Sequence, residues 1–417
     1  MTHVPSRQPE TVTAEGPAQV GGEAGKHRLS VLDWMAISLL ALGGVCVGTG
    51  LLPTAQADAT VRRILPILLF LATVLVLAEL TAMAGLFDAI ATRLATLGRG
   101  RFAALFSLCV AFAAVTTISL NLDTTAVLLT PVMLALARSL NISPLPLAMT
   151  TVWLANTASL LLPVSNLTNL LAANRVALGT AAFAGQMGLA QAAAIAATMA
   201  FLWVGYWSRR RRGAARYELP PPYVAADPVL LRLAGVACLF FISAILGGVE
   251  LGVASAIAAG VLVAAFAVRR RSALQWRLIP WRLPVFVTGL MLVVQTIGLH
   301  VLSHVIFVMI GMSGGAVGTF RAAAVGAGLS NVLNNLPAYL VGEAVVPAAN
   351  HIQLLGLLIG TNVGPIITPW ASLATLLWYE RCRVQHVHVP LRAFMLASAG
   401  LAVTGTAASV GALLLTR

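Results

Sequence analysis

The side chains best placed for chemistry in this chain are amides and hydroxyls. Asn156 to Leu171 (NTASLLLPVSNLTNLL) and Asn362 to Leu377 (NVGPIITPWASLATLL) each put a polar break inside an apolar run. They align without a gap at an offset of 206 residues, pairing Asn156 with Asn362, Pro163 with Pro369, Leu167 with Leu373, and Leu170 and Leu171 with Leu376 and Leu377. Two further polar clusters stand mid-run, at Asn121 to Thr125 and at Ser330 to Pro337. Together these stretches offer Thr124, Thr125, Asn156, Thr157, Ser159, Ser165, Asn166, Thr168, Asn334, Asn335, Thr361, Asn362, Thr368, Ser372 and Thr375. All of them donate and accept hydrogen bonds without carrying charge. Such a lining suits a neutral hydroxylated solute, or an ion held by helix ends and carbonyls, whereas a multiply charged anion calls for an arginine fork. As helix glue each side chain would contribute only about 0.6 kcal/mol. Recurrence at matched positions beside prolines favours a binding role for the cluster.

Asp123 is the acidic residue deepest in an apolar context. An intramembrane carboxylate is a functional candidate by default, and burial disfavours its charged form, which makes it the candidate carrier of a coupling proton. Its counterpart in the second half is Asn335, from Asp123-Thr-Thr-Ala126 against Asn335-Leu-Pro-Ala338. The plainer alternative is an aspartate that caps the helix beginning at Thr124 and Thr125. Glu79 is a second coupling candidate, near the end of the 64–84 run, where a solvated helix end is an equal alternative. Glu250 and Glu343 read as structural or solvated, as do the histidines, including His300, His304, His386 and His388. Cys46, Cys109, Cys238 and Cys382 show no metal spacing, and there is no phosphate-binding loop, catalytic triad or HExxH motif. No cofactor, metal or enzymatic activity is expected.

These residues sit in a chain that is 59% hydrophobic and 9% charged, outside the range of soluble domains. Apolar runs of membrane-spanning length fall near 31–52, 64–84, 102–121, 124–140, 147–172, 181–207, 229–248, 251–268, 284–310, 320–347, 351–379 and 391–415. The expected fold is an all-α polytopic membrane protein with about 10–12 hydrophobic segments. The net charge of +13 lies in short arginine clusters without interleaved aromatic platforms, so it reads as a topology signal and not as a nucleic-acid surface.

Placing Arg93 to Arg101, Arg209 to Arg216, Arg269 to Arg282 and Arg381 to Arg392 inside fixes the threading, with Arg62 and Arg63 the one discordant pair. Helix, dip, broken helix, helix then occurs twice with opposite orientation, as two inverted-topology repeats, each with a re-entrant hairpin and a broken helix. Charge counting leaves open whether 102–140 and 320–347 are hairpins or pairs of full spans; their polar centres favour hairpins. The organisation expected is a disordered cytoplasmic tail at 1–29, an N-terminal membrane repeat at 30–207, a cytoplasmic linker at 208–231 and a C-terminal repeat at 232–417. The protein is expected in the inner (plasma) membrane, with its N-terminus in the cytoplasm.

Three stretches carry a family resemblance. They are Ala155-Asn-Thr-Ala-Ser-Leu with Pro163-Val-Ser-Asn-Leu-Thr-Asn169; Gly364-Pro-Ile-Ile-Thr-Pro369 with Ser372-Leu-Ala-Thr-Leu-Leu-Trp378; and Asp123 through Leu128-Leu-Thr-Pro131, preceded by Glu79. On these the chain, from about 30 to 415, resembles the arsenite permeases of the ArsB type, within the ion transporter superfamily that includes citrate, dicarboxylate and sodium/proton transporters. The resemblance implies export of arsenite or antimonite as the uncharged trihydroxide against inward proton movement, in some members with a separate ATPase subunit. Homodimers are common in this architecture. The rival expectations are a cation-coupled carrier of citrate, dicarboxylate or another anion, and a sodium/proton antiporter. Departures stand at Asn156 and Asn362, positions often acidic in the permeases, and at Asn334-Asn335-Leu-Pro337 in the second hairpin.

Overall fold

The computed structural model describes residues 31–208, 216–279, 281–298, 303–311, 314–347 and 349–416. The N-terminal tail, Arg209 to Arg212 and His300 lie outside them. The described residues form an all-helical protein. Among them, seven helices are long and apolar enough to cross a membrane, beginning with Thr54–Met83 and ending with Leu391–Leu414. This is a multi-pass membrane protein.

One group of helices comprises α1 (Val31–Gly48), α2 (Thr54–Met83), α9 (Pro228–Leu246), α10 (Leu251–Arg269) and α11 (Arg282–Ile297), with α1 packed on α11, α2 on α10 and α9 on α10. The α9–α10 pair is closed at one end by Asp227, which accepts from the amides of Val229 and Leu230 and pairs with Arg269 at 2.9 Å. That guanidinium and those amides hold the Asp227 carboxyl below its ordinary range.

The second group holds both breaks. It contains α4 (Phe102–Ser119), α5 (Leu122–Ser139), α6 (Leu145–Thr157), α7 (Leu167–Arg175), α8 (Thr180–Leu202), α12 (Ser303–Ile310), α13 (Gly315–Leu333), α14 (Asn335–Val345), α15 (His351–Val363), α16 (Leu373–Val384) and α17 (Leu391–Leu414). Its closest pair is α13 against α15, where Gly356, Gly360 and Gly364 recur every fourth residue. A Cβ on Gly360 would stand 2.0 Å from the carbonyl oxygen of Ala323, so the two backbones meet at a distance only glycine permits.

Several apolar runs are divided at the polar stretches the sequence showed within them. The 147–172 run is α6 and α7 with nine non-α residues between them, including a 3₁₀ turn at Pro163–Ser165. The 351–379 run is α15 and α16, and the 320–347 run is α13 and α14. Helix α14 has 11 residues and rises only about 16 Å at 1.5 Å per residue, short of a hydrocarbon core of about 30 Å.

Three sequence expectations are corrected. Arg93 lies not in a linker but on an amphipathic helix, α3 (Leu86–Leu97), whose buried Phe87, Ala91, Leu94 and Ala95 share one face. Arg381 is not a linker residue either; it is buried in the last turns of α16. Helix α2 starts ten residues earlier than the 64–84 run, which puts Arg62 inside it, paired with Asp58 one turn back at 2.9 Å. That ion pair engages Arg62 within the helix.

Candidate functional site

Each break needs partners for its freed backbone groups, because buried peptide groups are rarely left unpaired. In the first break, Gln191 of α8 accepts from the amide of Leu160 at 2.7 Å and donates to the carbonyl of Thr157 at 2.9 Å. The Asn169 amide donates to the carbonyls of Ser159 and Leu162, at 2.6 and 2.8 Å. Asn166 caps α7 by accepting from Thr168, and Ser165 donates to the carbonyl of Ile118 at the end of α4. The α4–α5 tip is thereby tied to the first break.

The second break is held from the α13–α14 tip. Asn331 accepts from the amides of Ile367 and Thr368 and donates to the carbonyl of Gly364. The Asn334 side chain donates to the carbonyl of Trp370, the Asn335 amide donates to that of Ala371, and Thr368 donates to that of Asn331. Asn334 adopts φ 119°, ψ 154°, a conformation essentially reserved for glycine. Ser372 caps α16, accepting from the Thr375 amide at 3.1 Å.

The two breaks also bind each other. Asn156 donates from Nδ2 to the Thr375 hydroxyl at 3.3 Å, and Asn362 donates from Nδ2 to Oδ1 of Asn169 at 2.6 Å. Thr168 donates to Oδ1 of Asn362 at 2.7 Å. All five side chains are buried. Of the residues expected from sequence at the two breaks, Asn156, Thr168, Asn362 and Thr375 meet here, with Asn169 added. Others turn inward to the scaffold: Thr125 donates to the carbonyl of Asn121, Thr157 to that of Trp153, Ser159 to that of Asn156, and Thr361 to that of Leu358.

Asp123 sits in the first turn of α5, but the cap is Asn121, whose Oδ1 accepts from the Thr124 amide at 2.7 Å. Among the described residues, four buried polar atoms around the first break and its tip have no hydrogen-bond partner: Oδ1 of Asp123, the hydroxyl of Thr124, Oδ1 of Asn156 and Nδ2 of Asn166. Native proteins leave few such groups, so a cluster of them marks hydrogen-bonding capacity unspent on the fold.

Glu79 of α2 pairs with Arg381 of α16 at 2.9 Å, and Arg381 also donates to the carbonyl of Leu75. Arg175 of α7 stands 4.0 Å from Glu343 of α14. The arginine that follows each break is thus matched by a carboxylate.

Sequence reading missed Gln191 and Asn169 as residues of the site. Asn169 had a signal, since it occupies the position matched to Thr375 across the 206-residue offset. Gln191 had none, being one glutamine in an alanine-rich run.

This all-helical membrane protein, with two interrupted helices locked through uncharged side chains, is by its family match a transporter and not an enzyme. It belongs to the citrate transporter family (CitMHS), whose sequence pattern matches residues 29–375. Over 327 residues it is 32% identical to an arsenical pump membrane protein of Yersinia enterocolitica, covering 73% of this chain and 76% of that protein. The arsenical pump membrane protein of Escherichia coli strain K12 is 31% identical over 330 residues, with the same coverage. The Alcanivorax borkumensis YdaH transporter, described as having an unusual topology, aligns over 92% of this chain and 97% of its own, with 14% identity and a TM-score of 0.46. The resemblance to the permeases seen at the two breaks is borne out.

Proposed function

We propose that this protein is a secondary active transporter that exports arsenite and antimonite as the neutral trihydroxide, with protons moving inward in exchange. The observation that carries the reading is the uncharged make-up of the crossing between the breaks, where Asn156, Thr168, Asn169, Asn362 and Thr375 are buried together. A trihydroxide presents three hydroxyls that both donate and accept, which matches amide and hydroxyl side chains. Of the arginines flanking the site, Arg381 is engaged by Glu79 at 2.9 Å and Arg175 has the Glu343 carboxylate 4.0 Å away, an acidic neighbour that disfavours a polyanion. The arsenical pump relatives support the same substrate.

The arrangement is read as two inverted repeats. The bonds Asn156 to Thr375 and Asn362 to Asn169 exchange places under the 206-residue offset, and Arg175 with Arg381 follows the same offset. The α4–α5 and α13–α14 pairs act as re-entrant hairpins, supported in the second by the 11-residue length of α14. Asp123 exchanges the coupling proton, and the arginine-rich face is cytoplasmic.

A second reading has one observation in its favour: the family is described by citrate transport. In that reading the site carries citrate or another carboxylate with a cation. Deleting the gene in its host and measuring arsenite tolerance and intracellular arsenic separates the two. The proposal expects lower tolerance and higher intracellular arsenic; no change in either contradicts it.

A further inference from the structure

The turn between α3 and α4 carries an arrangement that shares no residue with the two breaks. Leu97, Gly98, Arg99, Arg101, Ala104 and Arg216 line a cavity of about 320 Å³. Three arginines, all exposed, are among the six lining residues, and no acidic residue is. Among the described residues Arg99, Arg101 and Arg216 make no ion pair, as is true of several other exposed arginines; what sets these three apart is that they line one cavity.

The cavity is built, not a chance meeting of loops. Arg101 and Arg216 form an isolated antiparallel bridge, and the Tyr217 amide donates to the carbonyl of Gly100 at 3.0 Å. The Tyr217 hydroxyl donates to the carbonyl of Ala95 at 2.7 Å, and its ring packs edge-on against Phe102, with centroids 5.3 Å apart. A Cβ on Gly98 would lie 2.1 Å from that hydroxyl, so glycine is needed for the segment to close down. Arg99 is held at φ 50°, a left-handed conformation uncommon for a residue with a side chain. A strained residue and a tyrosine clamp thus hold together the two segments that carry the three arginines.

Helix α4, 18 residues long, begins at this cavity with Arg101 as its N-cap and no capping side chain. The amides of Ala103 and Ala104 have no acceptor among the described residues. A helix N-terminus with free amides attracts anions, and guanidinium forks match the oxygens of a phosphate.

We propose that this cleft binds a phosphate-bearing anion at the arginine-rich face of the protein. Two sources share that chemistry: the headgroup of an anionic phospholipid, which basic clusters beside membrane helices attract, and free phosphate. The cleft is separate from the two breaks, and its occupancy would steady the α3–α4 turn and the Arg216–Tyr217 contact to it.

The test is thermal unfolding of the purified full-length protein in detergent, titrated with short-chain phosphatidylglycerol, with phosphatidylcholine of equal chain length, and with inorganic phosphate. We expect a saturable rise in midpoint with phosphatidylglycerol and none with phosphatidylcholine. The variant R99Q/R101Q/R216Q should need at least tenfold more lipid for the same rise. Because that variant also alters the charge signal for topology, Ala104→Glu serves as a second probe: it leaves all three arginines, sets an acid in the cleft and suits the first turn of α4. It too should weaken the response. R270Q/R271Q/R392Q, which removes the same charge elsewhere, should not. A saturable rise with inorganic phosphate that lipid does not exceed would assign the free anion as the source. No saturable rise with either, or equal loss in the R270Q/R271Q/R392Q control, would overturn the proposal.

Discussion

The Nδ2 of Asn156 donates to the hydroxyl of Thr375, and 206 residues further on the Nδ2 of Asn362 donates to Asn169, the residue matched to Thr375. The same donor on the end of one half-helix reaches the start of the other, twice. The two bonds are not equal, however. Asn362 also accepts from Thr168, whereas Thr375 keeps Ser372 as a partner when Asn156 is lost. Asn362→Ala leaves two buried groups unsatisfied, at about 1–3 kcal/mol each. It should therefore lower the thermal midpoint more than Asn156→Ala, measured on both proteins purified in the same detergent.

Helices α13 and α15 should tolerate no Cβ at their closest approach. Gly360→Ala brings a methyl to 2.0 Å from the Ala323 carbonyl, an overpacking that costs about 1–3 kcal/mol or more. Gly328 on α13 has nothing within 4 Å of a built Cβ. Gly328→Ala should then be neutral or stabilising by up to about 1 kcal/mol. Expression level and unfolding midpoint of the pair check the contrast; equal loss in both would show that the close packing of α13 on α15 is not what glycine serves.

How much of this was legible in sequence follows from what each signal depends on. The breaks were readable because Pro163, Pro369 and the amides around them interrupt apolar runs at a common offset. Helix α3 was not, because its apolar stripe is one face of a short helix and its Arg93 reads as a charge cluster when only runs are counted. Arg381 was misread for the same reason: charge counting assumes that arginine is solvated, and Glu79, 302 positions away in sequence, is what allows its burial. The Asn121 cap was hidden because Asn121 and Asp123, two places apart, are equally good capping residues and only the backbone geometry selects one. Partners distant in sequence, such as Gln191 for the first break, are set by packing and leave no local trace.

Asn334 joins a strained backbone to a useful side chain. Asn334→Ala keeps φ in the unfavourable region and loses the bond to Trp370, whereas Asn334→Gly loses the bond but relieves strain of about 1–3 kcal/mol. The glycine variant should be the more stable of the two in thermal unfolding. A more stable alanine variant would show that this backbone conformation is not the one the protein adopts.

The Glu79–Arg381 pair is asymmetric, with side-chain exposures of 32% and 7%. Glu79→Gln strands the more buried charge and should cost about 3–5 kcal/mol, the range for breaking a buried pair. Arg381→Met leaves a carboxylate that is partly open to solvent and should cost less. The double variant E79Q/R381M should recover part of the loss, and a double-mutant cycle on unfolding free energies measures the coupling. Strictly additive losses would mean that the pair contributes nothing by its pairing.

The central claim is that Asp123 couples proton movement to export of a neutral metalloid. Arsenite accumulation in everted membrane vesicles, driven by an imposed proton gradient, tests it directly. The account predicts gradient-dependent accumulation by the native protein, abolished by a protonophore, and at least a tenfold loss of the gradient-driven component in Asp123→Asn with the protein still present at native level. Undiminished gradient-dependent accumulation by Asp123→Asn would contradict the coupling role, and no arsenite accumulation by the native protein would contradict the transport assignment itself.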